Sequence, residues 1–574
     1  MRFELIQNEE QDKSVLVQVL LNRGFKREDI LHYLNTDDTD IFDPALLKNI
    51  DKGAELFIKH WKNKDKIFVQ ADADCDGYTS AAALINYINH LDSDYAQNYI
   101  GYRVHDEKQH GIIMGTIPAD TKLVIIPDAS SSEYDYHKEL AESGMDILVI
   151  DHHNADHYSE YACVINNQLD DYPNKDLSGA TMVYKFCCYL DTKLGVQYAN
   201  EVLDLAMLGM IADIMPIANF ETRQLLNKVE LKNSFLNYLF EMDNYRNGGQ
   251  LNVHTFAWSF APLINSITRF GSVSERLLVF EALLDFKANE KIPSNKKGHK
   301  GELEKRYIEA GRICKNVKAA QDRAKKAWAN ELDNIITQEH LLDNKIILIK
   351  NLKANNDTKN LTGLSAMELM TKYERPVLIL SPVEEEDGLH WSGSMRNNGY
   401  PIESFQKFAL NSGLIDWCNG HDNAAGISIP DANLQKFVDY TNEQLKDYNY
   451  VKTYKVDRIY EASKVDMGDI ASLADAGVLW GQGIDEPLIA ITNIPVNNET
   501  LTYSPKRTLQ ILINSELTCM KTFFPEEALD ELKPSAKRKT VDIVGYCKRA
   551  VGFGDSLRVD IVDYNVKESK YWDF

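Results

Sequence analysis

The stretch Phe68–Ser80, FVQADADCDGYTS, decides how this chain is read. The apolar run Ile67-Phe68-Val69 has the composition of a buried strand. Asp72, Asp74 and Asp76 follow it, alternating with small residues, ahead of Gly77 and a helix that starts around Thr79-Ser80-Ala81. Carboxylates this close repel one another, and a folded chain gathers them against a counter-charge, usually a hard divalent cation. Two further apolar runs end in the same way. Leu123–Ile126 leads to Asp128, and Ile147–Ile150 leads to Asp151-His152-His153. In open α/β sheets ligands sit off the carboxyl ends of the strands. Acids and imidazoles delivered by three successive strand ends point to metal-assisted hydrolysis.

Working outward, the pattern from 66 to about 285 alternates strand and helix, which predicts a mostly parallel sheet. Cys163–Asn166 reads as another strand. Ser178-Gly179-Ala180 caps a helix through Met182, Val183, Phe186 and Leu190, and a second helix, Val202–Ile211, delivers Asp213 ahead of Pro216. A lone carboxylate at a helix C-terminus is disfavoured by the dipole, and a nearby cation resolves that cost. On the N-terminal side, Val15–Leu21 is an apolar helix face ending at Arg23-Gly24, and Asp43-Pro44 is expected to open a helix running to about Trp61.

Between 287 and 326, thirteen Lys and Arg face five Asp and Glu in a chain whose net charge is −23. The stretch reads as a basic connector whose second half is a long helix to about residue 338. It is either a solvated linker or a contact to a phosphate backbone. Residues 345–445 form a second α/β pattern: strands at Ile346–Ile349 and Val377–Leu380, a helix at Leu364–Tyr373, and two loops, Ser392–Asn397 and Gly420–Gly426. Both loops could approach an anion through backbone N–H groups. From about 455 the pattern is of short strands, Pro487–Val496, Leu509–Ile513, Thr540–Cys547 and Ser556–Val562, suggesting a small barrel. The expected division is therefore 1–285, 286–344, 345–454 and 455–574.

A chain of 574 residues exceeds a single core. No run of about 18 uncharged apolar residues predicts a membrane span, and the N-terminus lacks a secretory h-region. Eight cysteines without metal spacing fit reduced thiols and a cytoplasmic protein. The charge argues against a protein that coats nucleic acid, while leaving nucleic acid open as a substrate.

The ordered set of motifs resembles the RecJ family of single-strand-specific exonucleases within the DHH phosphoesterase superfamily. QADADCDGYTS, IIPDAS and IDHHN match its acidic motifs, and LSGATMVYKF and LGMIADIMPI match the pair that follows. APLINSITRFGS resembles its asparagine-arginine motif. LTGLSAMELMTKYERPVLIL, GSMRN and GHDNAAG resemble the DHH-associated domain, and LWGQGIDEP resembles the joint into an OB-fold. The resemblance implies a DHH parallel-sheet domain, a long helix, a smaller α/β domain and an OB-like β-barrel. It implies 5′-to-3′ digestion of single-stranded DNA with two Mn²⁺ or Mg²⁺ ions, in DNA repair or recombination. The expected partner beyond the DNA is a single-strand-binding protein or helicase, with the chain a monomer.

On this reading Asp128 bridges two ions, Asp72 and Asp74 serve one, and Asp76, His152 and Asp213 the other. His153 either ligates, protonates the leaving oxygen or holds the phosphate, and Asp151 orients the imidazoles. Asn265, Arg269, Ser394, Arg396, Gly420 and His421 are candidate substrate contacts. Trp391, Trp480 and Tyr400 could stack bases, though core packing is the commoner role of such residues. The chain departs from the family at Gln70, where a His is usual, and an amide is a poorer ligand for Mn²⁺. It departs again at Asn419-Gly420-His421, where Gly-Gly-His is usual, and at Ala129-Ser130, where Asn-Gly commonly follows the Asp. Two other function classes remain open, a phosphodiesterase of cyclic dinucleotides or short oligonucleotides and a non-catalytic scaffold of a repair or replication assembly.

Overall fold

The computed structural model describes residues 1–106, 109–243, 250–352, 361–399, 401–448, 450, 453–504, 507–526, 528–532, 538–549 and 556–569. Tyr400 lies outside them. The chain forms two compact units, residues 3–315 with 454–574, and residues 316–453.

The first unit is built on a five-stranded parallel sheet. Its strands are β1 (Ile67–Ala71), β2 (Ile100–Val104), β3 (Leu123–Pro127), β4 (Asp146–Asp151) and β5 (Cys163–Asn166), in the order β2-β1-β3-β4-β5. Every residue of β1 and β3 is buried, which explains why these strands read as continuous apolar runs rather than alternating ones. The edge strand β2 has no such run, since Gly101, Tyr102 and Arg103 interrupt it, and the sequence pattern did not reveal it.

Four helices position the site. Helix α1 (Cys75–Leu91) begins four residues earlier than the pattern suggests. Asp74 is its N-cap and accepts from Gly77 N at 3.0 Å, so the acidic stretch is itself the helix start. Helix α2 (Gly179–Leu194) is capped by Ser178, and α3 (Leu203–Ala212) ends at Asp213. Helix α4 (Ala261–Phe270) packs on α1 and α3. The helix expected from Asp43 to Trp61 is broken. Asp43 caps only a short 3-10 turn, Pro44–Leu46, and the helix proper is Ile50–Asn63. Asn49 between them is left-handed (φ 66°), with its side chain donating to Val164 O at 3.0 Å.

Most of the basic stretch is helix α5 (Arg306–Gln338), preceded by a hairpin of Lys291–Pro293 with Leu303–Lys305. Much of its charge is already met. Arg306 pairs with Glu281 at 2.5 Å and Glu290 at 2.6 Å, Lys287 with Glu281 at 2.6 Å, and Arg312 with Glu304 and Glu309.

The second unit carries a five-stranded sheet, β9-β10-β8-β7-β6, made of β6 (Ile347–Lys350), β7 (Val377–Glu385), β8 (Gly388–Arg396), β9 (Trp417–His421) and β10 (Ala424–Pro430). Ile347, Ile349, Val377 and Ile379 face Trp328, Leu332 and Ile336 of α5, while Leu348, Leu378 and Leu380 face Phe405 and Phe437. Of the expected loop Ser392–Asn397, all but Asn397 is instead the second half of a central strand. Its small residues serve packing, because a Cβ on Gly393 would meet Ile379 O at 2.0 Å.

The C-terminal segment of the first unit forms a seven-stranded sheet. Its strands are β11 (Arg458–Glu461), β12 (Leu488–Val496), β13 (Leu501–Ser504), β14 (Thr508–Leu512), β15 (Leu517–Lys521), β16 (Arg538–Arg549) and β17 (Leu557–Ser569), in the order β11-β12-β16-β17-β15-β14-β13. The small barrel expected from the strand spacing is not closed among the described residues: β11 and β13 remain opposite edges. Closure is a long-range pairing, and strand spacing alone does not determine it.

Candidate metal centre

The strand ends bring the predicted acids together. Asp72, Asp74 and Asp128 have carboxylate oxygens within 4.8 Å of one another, and Asp76, His152 and Asp213 form an adjoining group at the same spacing. His152 Nε2 lies 3.2 Å from Asp128 Oδ1, 3.6 Å from Asp213 Oδ2 and 3.9 Å from Asp76 Oδ2. Both His152 Nε2 and Asp128 Oδ1 are buried without a hydrogen-bond partner. Orphaned buried polar atoms are costly. Two ligand atoms about 3.2 Å apart are what one ion with ~2.1 Å bonds requires, so the residues fit a divalent cation.

The electrostatics agree. Burial first, and then the charges of Asp76, Asp74 and Asp72, push the Asp128 carboxyl well above the usual carboxylate range. Burial and Asp76 likewise raise Asp74, and burial with Asp76 and Asp74 pushes Asp213 up to about 8. Uncompensated, these groups oppose their own ionisation, and a cation reverses that cost. Asp128 also has a left-handed backbone (φ 69°), as do Ser130 (φ 80°) and Ile214 (φ 58°) beside Asp213. Local strain of this sort persists where the surroundings over-determine it.

Three glycines hold the carboxylates from behind. A Cβ on Gly77 would lie 2.6 Å from Asp72 Cβ, one on Gly179 2.3 Å from Asp128 Oδ1, and one on Gly209 2.1 Å from Asp76 Oδ1. Asp76 is fixed further by the start of α2, accepting from Ser178 Oγ at 3.0 Å, Gly179 N at 2.8 Å and Ala180 N at 3.1 Å. Anions suit a helix N-terminus.

Asp151 is fully buried and accepts from Ser131 N (3.0 Å), His152 N (2.7 Å), His153 N (3.1 Å) and His153 Nδ1 (2.8 Å). Burial opposes its charge, yet His153 and His152 hold it well below the usual range. The same bond raises His153 to about 9 against burial, whereas burial lowers the enclosed His152.

Two imidazoles that the sequence reading missed stand on Asp72. His110 Nδ1 is 2.6 Å from its Oδ2, Gly111 N donates to Oδ1 at 2.9 Å, and buried His105 Nε2 is 3.5 Å from Oδ1. Against burial, these histidines carry Asp72 down to about 2. His105 follows the overlooked strand β2, so the strand-end rule reaches it once that strand is read. Gln70, where the family usually has His, is buried. Its Oε1 accepts from Ile113 N at 3.2 Å, tying down the segment after His110.

Asn265 and Arg269 lie on α4. The Asn265 Oδ1 is buried without a partner, and Arg269 is close enough for its charge to act on the Cys75 thiol between Asp74 and Asp76. The remaining four candidates belong to the second unit. Arg396, Ala424 and His421 are lateral neighbours at one end of its sheet, with Ser394 and Gly420 just inside. Ser394 Oγ is 2.9 Å from Thr362 Oγ1. Trp391 and Trp480 are core residues.

The DHH family N-terminal domain matches residues 66–210. YorK of the SPbeta prophage of Bacillus subtilis strain 168, an inferred single-strand DNA-specific exonuclease, is 36% identical over 557 residues, covering 96% of this chain and 95% of that protein. The single-stranded-DNA-specific exonuclease RecJ of the same bacterium is 23% identical over 511 residues, covering 82% of this chain and 59% of its own. The crystal structure of RecJ with Mn²⁺ from Thermus thermophilus matches with a TM-score of 0.67 at 18% identity, covering 98% of this chain and 79% of that one. Site and likeness together define a metal-dependent phosphoesterase. More narrowly, the chain belongs to the RecJ-like family of the DHH superfamily. Among the described residues, no helix is long and apolar enough to cross a membrane.

Proposed function

We propose that this chain is an exonuclease that hydrolyses single-stranded DNA from the 5′ end, using two divalent ions. The observation that carries the reading is the pair of ligand groups meeting at Asp128, supported by near full-length similarity to YorK. Asp76, His152, Asp213 and Asp128 would hold one ion, and Asp72, Asp74 and Asp128 the other. Bound there, divalent ions acidify a water and offset charge on the attacking and leaving oxygens.

The protein's own groups do the rest. Asp151 fixes the His153 ring through Nδ1, so that His153 would hold the phosphate or supply a proton to the leaving oxygen. Asn265 and Arg269 would grip a substrate phosphate, and Ser394, Arg396, Gly420 and His421 are proposed as further backbone contacts. The four-part division at 286, 345 and 455 belongs to the same proposal, with 455–574 as an OB-like strand-binding module. DNA as substrate, the polarity and a repair or recombination role follow the family.

The test is a gel assay with Mn²⁺ on a long single strand labelled at either end, beside a duplex and a cyclic dinucleotide, with Asp128→Ala as control. Mononucleotides released from the 5′ end and lost in the variant are expected. Cleavage of the cyclic dinucleotide alone, or of nothing, would overturn the reading.

A further inference from the structure

The most exposed tryptophan among the described residues is Trp258, 69% accessible, on the helical run that leads into α4. The run consists of one α-helical turn, Val253–Thr255, a π-helical segment, Phe256–Phe260, and then α4. Pro262 accounts for the widening. It has no N–H to give to the carbonyl four residues back, which is that of Trp258, and its ring crowds the same carbonyl. Phe256, Phe260, Ile264 and Ile267 fill the core side with no exposure. The opposite face carries His254, Trp258, Pro262, Asn265 and Arg269, spaced at three and four residues. His254 and Trp258 lie with ring centroids 6.1 Å apart.

One face therefore joins Asn265 and Arg269, on the helix that packs on α1 and α3, to a large indole in solvent, carried by a segment that itself packs on α3. Eleven residues separate Arg269 from Trp258, about 16 Å along the helix. At ~3.4 Å per stacked nucleotide that span accommodates at most about five nucleotides. A flat apolar ring held in water about three helical turns from Arg269, in line with that cation and a partnerless buried amide oxygen, has the character of a stacking platform.

We propose that Trp258 stacks against a base of the single-stranded substrate within about five nucleotides of the phosphate that Arg269 would hold, setting a requirement for bases as well as phosphates. This rests on the exonuclease reading above and deepens it.

The test compares wild type, Trp258→Ala and Trp258→Phe in Mn²⁺, by fluorescence anisotropy with a hydrolysis-resistant phosphorothioate thymidine oligonucleotide and an abasic strand of equal length. Trp258→Ala should bind the thymidine strand roughly 5- to 150-fold more weakly, the factor base–aromatic stacking contributes. Trp258→Phe should keep most of the affinity, and all three proteins should bind the abasic strand alike. Wild type itself should prefer the thymidine strand, which checks the idea without any variant. If Trp258→Ala binds the thymidine strand as wild type does, or loses equally on both strands, the stacking role is wrong and the indole serves another partner. Digestion of labelled single strands by wild type in the same preparation keeps the two readings apart. Digestion with no effect at Trp258 sinks only this inference, whereas wild type that neither binds nor digests single strands sinks the exonuclease reading too.

Discussion

Gly209→Ala is the sharpest probe of how the centre is held. Gly209 lies inside α3 with ordinary helical geometry, so on propensity alone alanine should stabilise the helix by ~1 kcal/mol. The tertiary contacts oppose this. The new Cβ would lie 2.1 Å from Asp76 Oδ1, 2.6 Å from Ala180 Cβ and 2.6 Å from Thr79 Oγ1, against an ordinary contact of 3.4–4 Å. Neither the helix nor the carboxylate can yield without cost, because Asp76 is pinned by Ser178 Oγ, Gly179 N and Ala180 N. Overpacking of this sort costs ~1–3 kcal/mol. Shifting Asp76 by about 1 Å would also weaken hydrogen bonds to a charged acceptor worth ~1.5–3 kcal/mol each. The sum outweighs the propensity gain by roughly 2 kcal/mol. Because Asp76 faces His152 across the proposed ion site, Mn²⁺ affinity should fall at least ~10-fold, the usual cost of disturbing a ligand's supports.

The assay is calorimetric titration with Mn²⁺, with thermal unfolding followed in EDTA and at saturating Mn²⁺. Gly477→Ala is the control, since a Cβ there meets nothing within 4 Å. A Gly209→Ala protein that melts at or above the wild-type temperature and binds Mn²⁺ equally would refute the argument that this glycine backs Asp76.

Other outcomes follow from the same physics. Without metal, the Asp128 carboxyl resists in the fold the ionisation it undergoes freely when unfolded, a cost that asparagine lacks, so in EDTA at neutral pH Asp128→Asn should unfold later than wild type. It should also lose most of the stabilisation that Mn²⁺ gives; an apo protein less stable than wild type would show that this cost does not dominate. Buried His137 is lowered from 6.5 to about 4 by desolvation, so the folded state resists protonation and stability falls as pH drops from 6.5 towards 4. At about pH 5.5 that is a loss of about 1.4 kcal/mol, and His137→Gln should flatten the slope of urea midpoint against pH; parallel slopes would sink the assignment. Lys185 and Glu221 form an ion pair at 2.6 Å with almost no exposure, and Tyr172 and Asn174 also bond the carboxylate. Lys185→Met leaves that charge unpaired and should cost ~3–5 kcal/mol, with Lys185→Met/Glu221→Gln recovering part of it in a melting comparison.

What was legible in the sequence was local. A parallel strand buried on both faces is largely apolar, so β1, β3, β4 and β5 were found from their runs alone, with Asp72, Asp128 and Asp151-His152-His153 appearing where the runs of β1, β3 and β4 stop. Ser178, Asp213 and the end of the long helix at Gln338 were equally visible, because caps and helical periodicity are written within a few residues. The acids and the imidazole that cluster at the strand ends could thus be named before any contact was known.

The tertiary structure decided everything that depends on distant segments meeting. Edge strand β2 is too polar to be read by itself, and with it His105 and His110 escaped notice, although both lie against Asp72. Ser392–Arg396 has the small residues of a loop but is central strand, because Gly393 admits the backbone of its neighbour. Four of the seven C-terminal strands are visible as segments, while the other three, the strand order and the absence of a closing ladder among the described residues are a matter of long-range pairing. Gly77, Gly179 and Gly209 look ordinary in sequence. Their role exists only because Asp72, Asp128 and Asp76 come to rest where a Cβ would be, a steric fact that no local pattern encodes.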